Sequence, residues 1–213
     1  MHRPIYLTSP VPREGTISLP MIDFRLTASV LDYQGCDTLM FTSKQAVESA
    51  EAIDPEWKRL PTIAIGAATA RKIETLGGSV LYHPTSFYGK ELAADVLERF
   101  RDRRVLYLRP RTVSFDSRDF LARAGYTLHE QVIYETFCRE HPAEAKPQPG
   151  AIVIFTSPST IHCFRECFGW EESYTAIVIG RATLEHLPAG ADYVVADTPL
   201  IDACIHTAKT IAI

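Results

Sequence analysis

The 213-residue sequence predicts two α/β domains, each a parallel sheet covered by helices, and three observations carry that expectation. Phe41-Thr42-Ser43 recurs 114 residues later as Phe155-Thr156-Ser157, and Ile65-Gly66-x-Ala68-Thr69 recurs at the same offset as Ile179-Gly180-x-Ala182-Thr183. Val80 meets Val194 in that register, and separated blocks in one register mark a duplicated supersecondary unit. Within each copy, short continuous apolar runs alternate with helical stretches, the pattern of a parallel sheet buried on both faces. The length is long for one compact domain and right for two small ones.

The elements follow in order. Ile5–Leu7 reads as a strand. Only nine residues, two of them prolines, separate it from Ile17, too few for the helical crossover that parallel strands need, so the first domain lacks one helix. Residues 17–26 form a long extended run that leaves the first domain at about Asp23. Thr38–Phe41 is a strand ending at Thr42, with Ser43 placed as a helix N-cap. Ile63–Ile65 is the next strand, Ala67–Leu76 a helix stopped by Gly77-Gly78, and Ser79–Tyr82 a third strand. Arg104–Leu108 is a strand, Ser114–Ala124 a helix stopped by Gly125, and Thr127–Phe137 a long alternating strand that returns the chain near Thr136. His141–Gly150, with Pro142, Pro147 and Pro149, is a loop. The second copy then repeats the grammar: Ile152–Phe155, a helix capped by Ser157, Ile177–Ile179 and Tyr193–Ala196. The expected architecture is two flavodoxin-like three-layer parallel-sheet domains joined by a two-stranded β connector. The first, residues 1–23 plus 137–213, is discontinuous and short of one helix; the second is 24–136, and a cleft is expected between them.

Composition narrows the function. With 23% charged and 10% aromatic residues, the chain is not disordered, collagenous or coiled coil. A net charge of -4 argues against a nucleic-acid partner. No apolar run approaches the roughly 20 residues that span a bilayer, and the first fifteen residues hold no apolar signal core. Five cysteines (36, 138, 163, 167 and 204), an odd number at irregular spacing, suit reduced thiols in a cytosol. The expectation is a cytoplasmic protein, with nothing demanding more than a monomer. There is no GxGxxG, GxxxxGK[ST], GxSxG or HExxH, so no metal or cofactor is expected. His162-Cys163-x-x-x-Cys167 has ligand types at helical spacing but no matching second cluster, and reads as a packed helix carrying buried thiols.

The strand ends carry more information. In open α/β sheets, ligands bind beyond the carboxyl ends of the strands, where helix N-termini present free N–H groups. One copy puts Thr42, Ser43, Gly66 and Thr69 there, and the other puts Thr156, Ser157, Ser159, Gly180 and Thr183. Singly these are helix caps; duplicated, they make two anion-receptive rims. Lys44, Lys90, Arg109 and Arg111 are nearby basic candidates, and Arg109-Pro110-Arg111 directly follows a strand, where a guanidinium fork meets a carboxylate. Solvated surface is the competing reading for each. Tyr134 on the returning strand reads, by itself, as a half-buried strand tyrosine.

The segments Phe41–Val47, Ile65–Ala70, Leu108–Pro110, Val132–Thr136, Ile154–Ser159 and Ile179–Thr183 together resemble the uroporphyrinogen-III synthase family, in the family's order and over most of the chain from Phe41 onward. The resemblance implies a cofactor-free cyclase of tetrapyrrole (haem) biosynthesis. Its substrate would be hydroxymethylbilane, a linear tetrapyrrole with eight carboxylates, closed with inversion of the last ring and loss of water through a spiro intermediate. Tyr134 falls on the family's tyrosine, proposed to help the hydroxyl leave, and Thr69 on a threonine of its cleft. Lys44 stands where the second copy has Pro158, so the repeat assigns it no role. The competing class is a non-catalytic two-lobed module that captures an anionic metabolite.

Overall fold

The short apolar runs become central strands because they bury on both faces. The computed structural model describes residues 3–85 and 88–212, and the chain divides into two compact units, Met1–Asp23 with Phe137–Ile213 and Phe24–Thr136.

The first unit holds β1 (Ile5–Leu7), β2 (Ile17–Ser18), β9 (Ile152–Phe155), β10 (Thr175–Val178) and β11 (Asp192–Val195), in the sheet order β11-β10-β9-β1-β2 with every pairing parallel. In chain order this is 2-1-3-4-5, the flavodoxin-like arrangement. Its helices are α5 (Pro158–Phe168), α6 (Arg181–Leu184) and α7 (Ile201–Ile211). No helix lies between β1 and β2. On one face Ile5, Leu7, Ile152, Ile154 and Ile177 pack under Cys204, Ile205 and Ala208 of α7. On the other, Phe155, Phe164, Phe168, Trp170 and Tyr174 form an aromatic cluster with ring centroids 5.4–6.1 Å apart.

The second unit holds β3 (Ile22–Leu26), β4 (Thr38–Phe41), β5 (Thr62–Ala64), β6 (Val80–Tyr82), β7 (Val105–Pro110) and β8 (His129–Cys138), ordered β3-β8-β7-β4-β5-β6. Its helices are α1 (Lys44–Ile53), α2 (Ala67–Thr75), α3 (Gly89–Arg99) and α4 (Ser117–Arg123). Sister strands β4 and β9, β5 and β10, β6 and β11 take equivalent places in the two sheets. The remaining pair, β7–β8, follows the repeat in one unit, whereas β1–β2 precedes it in the other, so the units are circular permutations of one fold. The junction agrees: α3 runs on to β7 through the chain, whereas α7 meets β1 through Arg3 N–H donating to the Ala212 carbonyl at 3.1 Å. By the same correspondence α4, between β7 and β8, is the helix that the first unit lacks.

Two expectations are corrected here. Residues 17–26 are not one extended strand. Leu19 and Met21 stay tied to β1, their N–H groups donating to Leu7 and Thr8, while Pro20 has no N–H and instead offers its carbonyl to His141 Nε2 at 2.8 Å. The run therefore breaks into β2 and β3. Nor are all five cysteines reduced thiols, because Cys138 and Cys163 form a disulfide while Cys36, Cys167 and Cys204 are free. A separation of 25 residues, from the end of β8 to the middle of α5, gave no local signal of that pairing.

Candidate active-site rim

The rim of the second unit is built where β4 turns into α1. Backbone extended through Ser43 (φ -159°, ψ 156°) sends successive side chains to opposite faces, so Thr42 and Ser43 look in different directions. Each meets a tyrosine. The Ser43 hydroxyl accepts the Ala46 N–H at 3.0 Å as the N-cap, and shares a hydrogen bond with the Tyr134 hydroxyl at 2.9 Å. The Thr42 hydroxyl shares one with the Tyr107 hydroxyl at 2.7 Å. Tyr107 rises from the face formed by Met40, Ile63, Leu92 and Val96, and Tyr134 from the face formed by Leu39, Phe41, Ala46 and Ile133. The two phenols thus reach one strand end from above and below the sheet.

Both rings are buried, at 3% and 4% exposure, with Phe24 set edge-on to Tyr134 at 5.9 Å. Burial pushes the Tyr107 phenol up to about 12 and also raises Tyr134, while the Ser43 hydrogen bond pulls Tyr134 partly back. Both are therefore protonated at neutral pH, and Ser43 favours the phenolate that proton donation would leave.

The sister rim differs. Ser157 caps α5 in a full capping box with Thr160, and Pro158 occupies the first helical position. Thr156 and Ser157 are half-buried and Ser159 exposed. In the pairing of β1 with β9, however, Leu7 stands opposite Ile154 just as Tyr107 stands opposite Met40, so the second copy has leucine where the first has a phenol.

Gly66 and Gly180 open α2 and α6 in nearly identical extended conformations (φ 174° and 176°). Thr69 and Thr183 sit in the first turns and face inward, at 4% and 3% exposure. Helix α6 is a single turn, because Pro188 stands where the sister helix has Glu74. Its first N–H groups are available, but its dipole is correspondingly small.

Two of the four basic candidates, Arg109 and Arg111, are engaged by carboxylates. Lys44 and Lys90 are exposed, in the first turns of α1 and α3. Arg109 Nε lies 3.2 Å from Glu130 Oε2 but finds no hydrogen-bond partner of good geometry, while Nη1 donates to the carbonyls of Pro110 and Arg111. Burial raises the Glu130 carboxyl, and Arg109 opposes that shift. Arg111 Nε donates to Glu135 at 2.6 Å, Arg25 pairs with the same carboxylate, and the two arginines together hold it below its ordinary range. Sequence reading missed Tyr107, Glu130 and Glu135. A phenol inside the apolar run Val105–Leu108 was the one usable signal, since a buried tyrosine hydroxyl needs a partner.

Parallel sheets flanked by helices place the protein in the class of open α/β proteins, in which ligands bind beyond the carboxyl ends of the strands. The family model described as uroporphyrinogen-III synthase HemD matches residues 15–206. The uroporphyrinogen-III synthetase of Helicobacter pylori 26695 superposes with a TM-score of 0.81 at 26% identity, over 98% of this chain and 99% of that one. A mutant uroporphyrinogen III synthase from the extremely thermophilic bacterium Thermus thermophilus superposes at 0.61 with 15% identity, over 99% and 98%, a likeness of fold. No curated protein sequence matches the chain. The chain belongs to the uroporphyrinogen-III synthase family, the cofactor-independent cyclising lyases of haem biosynthesis. Its substrate is accordingly a small-molecule tetrapyrrole, and no helix among the described residues is long and apolar enough to cross a membrane.

Proposed function

We propose that this chain closes hydroxymethylbilane to uroporphyrinogen III with Tyr134 as the proton donor to the departing hydroxyl. Hydroxide is a poor leaving group, so a donor that is protonated at neutral pH and aimed from a buried position lowers the barrier. The observation that carries this reading is the Tyr134–Ser43 hydrogen bond of 2.9 Å at the strand-end rim. Ser43 is itself anchored by the Ala46 N–H, so its own proton is free to turn toward Tyr134 as the phenol gives its proton up. No atom needs to travel far for this exchange, and the ring is held by Phe24 throughout.

The substrate's acetate and propionate groups are received by the rim of each unit: Thr42, Ser43, Gly66 and Thr69 in one, Thr156, Ser157, Ser159, Gly180 and Thr183 in the other. Backbone N–H groups and hydroxyls at helix starts bind carboxylates without a basic surplus, which reconciles a net charge of -4 with a polyanionic substrate. Lys44 and Lys90, both exposed, add long-range attraction. Arg109 and Arg111 act through their carboxylate partners, shaping the rim beside Tyr134. The phenols belong to one rim alone, so the reading divides the labour: the second unit supplies the proton and the first holds carboxylates. Uncatalysed closure gives the uninverted isomer, so the catalyst must favour the harder path by holding the chain in its geometry. The reading takes the enzyme as a cytoplasmic monomer, each rim being complete within its own chain.

The test is a coupled assay in which hydroxymethylbilane is generated, the protein added and the oxidised uroporphyrin isomers resolved. Type III product supports the reading, and type I product alone from folded protein overturns it.

A further inference from the structure

The end of β8 and one side of α5 gather a set of metal-ligating groups. Among the described residues, Cys138, His162 and Glu166 bring ligand atoms within 4.8 Å of one another. Cys138 Sγ lies 3.4 Å from Glu166 Oε2, and His162 Nε2 lies 3.6 Å from the same oxygen. The fourth group is Cys163, joined to Cys138. A tetrahedral zinc site with bonds of about 2.0–2.3 Å has ligand-to-ligand edges of roughly 3.3–3.8 Å. The two pairs to Glu166 Oε2 fall in that range, and the Cys163 sulfur, bonded to Cys138, has to swing away from it on reduction to complete the set.

We propose that this chain carries a redox-gated site for a divalent ion of the zinc class, formed by Cys138, Cys163, His162 and Glu166 once the disulfide is opened. A dithiol reductant delivers two electrons: the Cys138–Cys163 bond breaks, both sulfurs leave as thiols, and the reductant becomes a disulfide. Ion binding then displaces the two thiol protons, giving a site with two thiolates, one imidazole and one carboxylate. The disulfide and the ion are mutually exclusive, since a disulfide sulfur is no thiolate.

The surroundings suit such a site. Residues 162 and 166 lie one turn apart on α5, a rigid scaffold of eleven residues, so the imidazole and the carboxylate share one side of the helix. His162 and Glu166 are exposed, which gives the ion a path in, while Cys163 is 3% exposed and anchors the site against the core. Cys138 is the last residue of β8, four beyond Tyr134 on the same strand. Either state, disulfide or ion, fastens the end of that strand to α5. In a reducing compartment the ion restores the tie that the lost disulfide leaves open.

The test uses the full chain and cobalt(II) as the probe. Reduced with a phosphine and freed of excess reductant, the protein is expected to bind one cobalt per chain, with thiolate-to-metal charge transfer and intense tetrahedral visible absorption. The oxidised chain is expected to show neither. Cys138→Ser, at a half-buried position, should halve the charge-transfer band. His162→Ala and Glu166→Gln should each weaken binding about tenfold or more. Cys167→Ala, with far-ultraviolet circular dichroism as the folding control, should leave the spectrum unchanged. Absence of charge transfer in the reduced chain, a weak octahedral spectrum, or affinity indifferent to both His162→Ala and Glu166→Gln would overturn the proposal.

Discussion

Tyr107 and Thr42 share a 2.7 Å hydrogen bond between hydroxyls 65 residues apart, one position before the serine that Tyr134 meets from the opposite face. The strand-end turn of β4 is thereby pinned on both sides. Burial raises both phenols, and in each a single hydroxyl partner, Ser43 for Tyr134 and Thr42 for Tyr107, opposes the rise. Replacing Tyr134 with Phe is expected to lower kcat by roughly 10²–10⁴-fold with little change in KM. Its stability should fall by about 1 kcal/mol, for the lost buried hydrogen bond. Tyr107→Phe should cost a similar amount of stability but much less turnover, because it positions Thr42 and donates no proton. Type III formation rates set against denaturant midpoints for the pair decide it; equal kcat losses would remove the distinction.

Arg109 provides a second contrast. The Arg109→Ala change strands the partly buried Glu130 carboxylate, so it should cost about 3 kcal/mol of stability. Adding Glu130→Gln should recover most of that. If Arg109 only shapes the rim, the double variant regains KM as well as stability. A KM that stays high in a restabilised double variant would make Arg109 a direct carboxylate ligand.

Gly180 separates backbone need from ligand need. A Cβ built there meets nothing within 4 Å, and its φ of 176° is extended backbone open to any residue. Gly180→Ala is therefore expected to keep the melting temperature and raise KM several-fold, because the methyl group enters the space a carboxylate would occupy. An unchanged KM would take Gly180 out of the rim.

Alkaline stability follows from the buried phenols. Tyr107, Tyr126 and Tyr174 are each raised to about 12, all chiefly by burial. Between the ordinary value near 10 and that raised value, the unfolded chain ionises while the folded chain holds its protons. The stabilisation is thus complete below about pH 10 and lost as pH rises toward 12. Urea titrations between pH 9 and about 11.5 should show a falling midpoint over that window. The fall should begin no lower than about pH 9.5 unless some other group titrates.

The elements were legible in the sequence where local chemistry decides them. Ser43 and Ser157 cap their helices as the Thr-Ser pattern predicts. Gly77, at φ 89°, ends α2 with its N–H on the Glu74 carbonyl and that of Gly78 on Ile73. Tyr134 was singled out through the family resemblance, because a strand tyrosine alone does not distinguish a core residue from an acid. Tyr107 was lost inside an apolar run for the same reason.

What the sequence determined by itself was the duplicated α/β grammar, since apolar runs, caps and turn glycines act over a few residues. The tertiary structure alone decided that β7–β8 and β1–β2 enter their sheets from opposite ends of the repeat, and that Thr42 meets Tyr107 where its sister strand meets Leu7. It also decided that Arg109 and Arg111 face glutamates, and that Cys138 reaches Cys163. Each of these is a meeting of side chains set by strand order and register. Those depend on how whole elements bury together, which no short window of residues encodes.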